Sequence, residues 1–178
     1  YFYTLTFMST ITAVFHQNAI PVFADVDPVT GNLDPESARR ILDSHKDVKA
    51  MIVVHLYGQM ADMKAFSDLA KQYGIYLLED CAHCVEGERD GARPGQLSDA
   101  AAFSFYATKN ITCAEGGAVV SNDETLLKRI RLLRLHGVDT YAMEQRKDGL
   151  YRHWEMIELG YKCNMHDIAA ALLLPQLA

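Results

Sequence analysis

At 178 residues, with 49% hydrophobic and 22% charged side chains, the chain has enough apolar material for one sizeable core, which excludes disorder, a collagen repeat and a coiled coil. Its 17 Lys and Arg against 23 Asp and Glu give a net charge of -6 with no basic block, so the footprint of a nucleic-acid binder is missing. No apolar run approaches the roughly 20 residues that cross a bilayer, and 4 cysteines in a chain with no mark of secretion point to a reducing, cytoplasmic setting rather than a disulfide framework.

Runs rich in Val, Ile, Phe and Tyr alternate with stretches of helical period, the pattern of an α/β fold with a mostly parallel sheet flanked by helices. A strand is predicted over 21–25. Asp34-Pro35-Glu36 then supplies an N-cap, a Pro at the first helical position and an acidic first turn for a helix reaching about Leu42. The next strand, 49–54, ends in His55. Asp62 opens a second helix, in which Met63, Phe66, Leu69, Ala70 and Tyr73 share a face and Gly74 is the C-terminal cap. Strands over 75–79, 101–106 and 117–121 follow, and Asn122 precedes a helix carrying Leu126, Leu127, Ile130, Leu133 and Arg134 that Gly137 ends. Residues 87–99 and 137–160 read as loops. Nothing divides the chain, so one domain is expected. Opening on Tyr1-Phe2-Tyr3-Thr4 and stopping in a helical pattern at Leu177-Ala178, it reads as a segment truncated at both ends.

In open α/β sheets ligands bind beyond the carboxyl ends of the strands. Three strands deliver polar groups there: His55 after one, Glu79-Asp80-Cys81-Ala82-His83 at another, and Ser104 leading to Thr108-Lys109-Asn110 at a third. Asp80 fits a helix cap or a solvated strand end, and equally a fixed anion facing a cationic ligand. Lys109 is embedded in the apolar, tightly turning stretch from Phe103 to Gly117, where desolvation favours the neutral amine that attacks carbonyl carbon, so a Schiff-base lysine is one reading and a surface charge the other. The C-x-x-C of Cys81 and Cys84 suggests a dithiol or half a zinc site, but Cys113 and Cys163 are solitary and far away in sequence, so small buried thiols fit better. Phosphate-loop, dinucleotide and nucleophile-elbow glycine motifs are absent, and His16, His45 and His153 read as surface or packing residues.

Taken in order, Thr6-Phe7, the run Pro21-Val22-Phe23-Ala24-Asp25-Val26-Asp27, His55-Leu56-Tyr57-Gly58-Gln59, Glu79-Asp80, His83, Phe103-Ser104-Phe105, Lys109-Asn110, Glu115-Gly116-Gly117, His136-Gly137 and Gly160-Tyr161 resemble the DegT/StrS class of nucleotide-sugar aminotransferases. The resemblance implies an aspartate-aminotransferase-like (PLP fold type I) large domain, partial over 1–178 and without the family's small C-terminal domain. It implies pyridoxal 5'-phosphate (PLP) as cofactor and transfer of an amino group, from L-glutamate, to a keto-sugar nucleotide in cell-surface polysaccharide, lipid A (lipopolysaccharide) or antibiotic-sugar biosynthesis. A homodimer with shared active sites is implied as well. By the same resemblance Lys109 holds the cofactor and moves the proton, Asp80 pairs with the ring nitrogen, and His83 lies against the ring or reaches its 3-hydroxyl. Phe7 stacks on the ring, Ser104 holds the phosphate, and Lys162 or Asn164 reaches the phosphate of the neighbouring subunit. The stretch from Lys109 to Gly117 is most similar to the branch forming UDP-4-amino-4-deoxy-L-arabinose. The competing expectations are a PLP-dependent sugar dehydratase of the same fold, which in its known form has histidine in place of the lysine, and a non-catalytic or thiol-redox module using Cys81 and Cys84.

Overall fold

The computed structural model describes residues 2–3, 5–138 and 154–177. The elements are β1 (Phe2–Tyr3), α1 (Met8–Phe15), β2 (Phe23–Ala24), α2 (Pro35–Ser44), β3 (Ala50–Val54), α3 (Met63–Tyr73), β4 (Tyr76–Asp80), β5 (Ala100–Ser104), β6 (Gly117–Val120), α4 (Glu124–Leu133) and α5 (Asp167–Ala171). A four-stranded sheet runs in the order β3-β4-β5-β6, with β3, β4 and β5 parallel and β6 antiparallel to β5, while β1 and β2 form a separate parallel pair.

The helix starts follow from their caps. Asp34 accepts the N–H groups of Glu36 and Ser37, and Asp62 accepts that of Ala65, as their positions predict. At α4 the cap is Asp123 rather than Asn122: its carboxylate takes the N–H groups of Thr125 and Leu126 at 2.8 and 3.2 Å. α4 ends at Leu133 with Arg134 as C-cap, earlier than the expected stop at Gly137, which lies beyond it in a left-handed conformation, bonds the Leu132 carbonyl and would bring a Cβ against the Glu158 carbonyl oxygen. The face of α3 is the predicted one, with Met63, Phe66, Leu69 and Ala70 buried in a core shared with Leu42, Met51, Val53 and Leu77. Burying four such side chains stabilises by several kcal/mol at about 25 cal/mol per Å².

Two expected strands change: the one over 21–25 shrinks to Phe23–Ala24, and the one over 101–106 stops at Ser104; α1 and β1 are elements that the sequence reading did not predict. Phe105 already leaves the strand, although its N–H still bonds the carbonyl of Gly116. Of the loop expected over 137–160, residues 139–153, including His153, lie outside the described residues. Among the described residues no helix is long and apolar enough to cross a membrane.

Candidate active site

β4 is the element that organises the site, because alternation along a strand sends consecutive carboxylates to opposite faces. Glu79 faces the core. Its Oε2 lies 2.7 Å from Nε2 of His55, and its Oε1 accepts from the Gly95 N–H at 2.9 Å and from the Ser98 hydroxyl. His55 Nδ1 accepts the N–H of Ala61, so Nε2 carries the proton and donates it to Glu79. His55, read from sequence as a strand-end polar group open to a ligand, is therefore a buried structural partner. The donor atoms of His55, Glu79 and Cys81 lie within 4.8 Å of one another. Both ring nitrogens of His55 are already hydrogen-bonded, so a metal there would have to displace those bonds.

Asp80 faces the other way and is half-buried. Its Oδ2 accepts from the Thr10 hydroxyl at 2.6 Å, and its Oδ1 from the Ala82 N–H at 3.1 Å. The short Asp80-to-Ala82 bond is a local turn, not a helix cap, because the chain does not continue as a helix after β4. His83 follows within the same turn. Burial pushes its imidazole below the usual value, the positive charge of Lys109 pushes it further down, and the Asp80 carboxylate opposes both. Those influences put the charges of Asp80 and Lys109 each within electrostatic reach of His83.

His83 Nδ1 is buried and has no hydrogen-bond partner. A buried polar atom left unpaired is costly, and its usual explanation is a group that the site is built to receive. The His83 ring stacks on Tyr57, with centroids 5.9 Å apart and planes 4° from parallel. Tyr57 adopts φ 52 and ψ 27, a left-handed conformation costing roughly 1–2 kcal/mol for a residue with a Cβ. The turn is held by Asn32, which is buried and bonds both the Leu56 N–H and the Gln59 carbonyl. Gly58 completes it at φ 87, where a Cβ would come within 3.1 Å of the His83 carbonyl oxygen.

Ser104 ends β5, two residues beyond Ala102, the partner of Asp80. Its oxygen accepts the Tyr106 N–H at 3.3 Å, which leaves the hydroxyl proton to donate elsewhere. Lys109 is half-buried in the turn that follows, its N–H bonded to the Tyr106 carbonyl. Phe7 immediately precedes α1 and is 74% exposed. Lys162 and Asn164 are exposed; Lys162 bridges to Leu135, and no described contact joins either to Asp80, His83 or Lys109. Thr10 and Tyr57 are the site residues that sequence reasoning did not single out.

The two thiols of the C-x-x-C pair are both buried. Burial pushes Cys81 far up, helped by the negative charge of Glu79, and burial raises Cys84 as well. The nucleophile in thiol chemistry is the thiolate, so these are poor redox groups.

A family profile described as the DegT/DnrJ/EryC1/StrS aminotransferase family matches residues 2–178. The chain belongs to this family. Spore coat polysaccharide biosynthesis protein SpsC of Bacillus subtilis is 42% identical over 173 residues, 97% of this chain and 44% of that protein. Among solved structures, Helicobacter pylori PseC, an aminotransferase involved in the biosynthesis of pseudoaminic acid, superposes with a TM-score of 0.86 at 29% identity, over 98% of this chain and 44% of its own. DesI, solved in the presence of its TDP-sugar product, gives 0.83 at 35%, over 99% of this chain and 41% of its own. The chain thus spans less than half the length of these relatives. DegT/StrS aminotransferases are PLP-dependent, and the fold is that of PLP-type aminotransferases.

Proposed function

We propose that the chain carries the cofactor-binding part of a PLP-dependent enzyme that transfers an amino group, with L-glutamate as donor, to a keto-sugar nucleotide. The observation that carries the reading is the grouping of Asp80, His83 and Lys109 beyond β4 and β5, with His83 Nδ1 buried and unpartnered. These residues fit the cofactor's donors and acceptors. When bound, pyridoxal phosphate supplies an electron sink for the carbanion formed at the amino-bearing carbon.

The residues divide the work by chemistry. Lys109 would hold the cofactor through its amine and, once free, would move the proton at the substrate carbon. Asp80 would accept from the ring nitrogen and keep it protonated. His83, held neutral beside Lys109, avoids a second positive charge and offers a ring nitrogen to the 3-hydroxyl. Ser104 donates to the phosphate, and Phe7 covers the ring face. Lys162 or Asn164 serves the phosphate of a neighbouring subunit in a homodimer with shared sites. Residues 1–178 are then part of the PLP-binding large domain of a cytoplasmic enzyme.

The run from Lys109 to Gly117 supports a finer reading, the branch forming UDP-4-amino-4-deoxy-L-arabinose for lipid A. A dehydratase of the same fold is disfavoured by the lysine at position 109. An absorbance spectrum of the full-length protein tests the reading: a visible band that borohydride bleaches while fixing the cofactor covalently to Lys109 is expected, and a colourless protein that binds no added pyridoxal phosphate removes it.

A further inference from the structure

We propose that Thr6 and Thr10 form a two-hydroxyl relay that positions the Asp80 carboxylate and keeps the proton it shares with the cofactor on the ring nitrogen. The inference rests on the reading of Asp80 as the partner of that nitrogen.

Thr10 is 6% exposed, and its hydroxyl donates to Asp80 Oδ2 at 2.6 Å across 70 residues of sequence. Its oxygen lies 2.8 Å from that of Thr6, four residues earlier and ahead of α1. The direction of the chain follows from proton counting. A hydroxyl has one proton, Thr10 gives it to the carboxylate, and so Thr6 must donate into Thr10. With the Ala82 N–H on the other oxygen at 3.1 Å, each oxygen of Asp80 is held by one donor, which fixes the plane of the carboxylate.

A helical threonine ordinarily bonds a carbonyl three or four residues back, as Thr12 does with Ser9. Thr10 does not; it reaches into the site. Nor do the threonines cap α1, whose N-cap is Phe7 with no side-chain bond. Hydrogen bonds donated to a carboxylate favour its charged form, and bonds in series polarise one another. Thr6 and Thr10 are therefore positioning residues acting through Asp80.

The test is nitrogen NMR of ring-labelled pyridoxal phosphate bound to the full-length protein, followed through a pH titration. Wild type should show a protonated ring nitrogen. Thr10→Val, which keeps the branched shape and loses the hydroxyl, leaves the carboxylate the stronger base, so it should raise the midpoint at which the nitrogen–carboxylate pair loses its proton by about one pH unit. Thr10→Ser should restore it, and Thr6→Val should move it the same way by less, with cofactor affinity little changed in all three. A wild-type midpoint in folded Thr10→Val overturns the relay and leaves the Asp80 reading standing. If Thr10→Val does not fold, an unmoved midpoint in Thr6→Val overturns it. A wild-type nitrogen without a proton, or no bound cofactor, overturns both.

Discussion

Glu79 and Asp80 are neighbours on one strand, yet their surroundings differ in one decisive respect. Behind β4, Glu79 takes three donors on its two oxygens, from His55, Gly95 and Ser98, and the cluster is closed. In front of it, Asp80, His83, Ser104 and Lys109 keep capacity in hand: an unpartnered ring nitrogen, a hydroxyl proton and a half-buried amine. Saturation marks the carboxylate that holds the fold, and the proposed cofactor site lies on the side where bonding capacity is left over. Burial alone would have ranked them in the opposite order of chemical interest.

Substitutions on the two faces should therefore fail in different assays. The largest effect is expected for Lys109→Ala, which should abolish transamination while pyridoxal phosphate still binds without a covalent link; loss of proton transfer alone costs on the order of 100- to 10,000-fold. Near-normal turnover would sink the role of Lys109. In the same variant the His83 titration midpoint, followed by NMR, should rise because one of the charges depressing it is gone, and it should stay below the ordinary value because burial remains.

On the other face, Glu79→Ala should show up in melting rather than in chemistry. It leaves two buried donors, His55 Nε2 and the Gly95 N–H, unpaired at about 1–3 kcal/mol each, while Ser98 keeps the Ala100 carbonyl, so calorimetry should register a fall of about 2–6 kcal/mol, with Glu79→Gln recovering part of it. An unchanged melting temperature would break the contrast between the faces.

A subtler case is Asp80→Asn. An amide keeps the shape but cannot balance a positive ring, so turnover should fall at least about tenfold at near-normal stability, in line with the 1.5–3 kcal/mol of a charge-assisted hydrogen bond. Wild-type turnover would return Asp80 to the structural class. The smallest effect is expected when Cys81 and Cys84 are both changed to Ala, a packing loss of about 1–2 kcal/mol with activity retained; loss of activity in a folded, cofactor-loaded protein would revive a thiol role.

Features written in short, local patterns were legible from sequence. Asp34 and Asp62 cap where their followers predict, and the face of α3 follows its period. The strand-end rule and the family resemblance picked out Asp80, His83 and Lys109, and the charges of Asp80 and Lys109 do fall within reach of His83. What could not be read depended on distant partners or on backbone strain. α1 was missed because Met8–Phe15 is rich in β-branched residues and has no cap. Thr10 gained meaning only when the fold set it against a carboxylate 70 residues away. No glycine or asparagine warned that Tyr57 would turn left-handed beside His83. His55 misled because a histidine after a strand looks the same whether it meets ligand or core.

The reversed direction of β6 has a consequence for how the protein acquires its lysine. Parallel neighbours require a crossover, so β3, β4 and β5 can pair only after α3 and the segment over 87–99 have been laid down around them. β5 and β6 are antiparallel and pair from Ser104 with Gly117 onward, so the Lys109 turn is closed by contacts only a dozen or so residues apart in sequence. Short-range closure is fast and inexpensive in chain entropy. The segment bearing the lysine can thus be the first part of the cleft to take shape, leaving Asp80 and α1 to be brought to it by the slower long-range assembly.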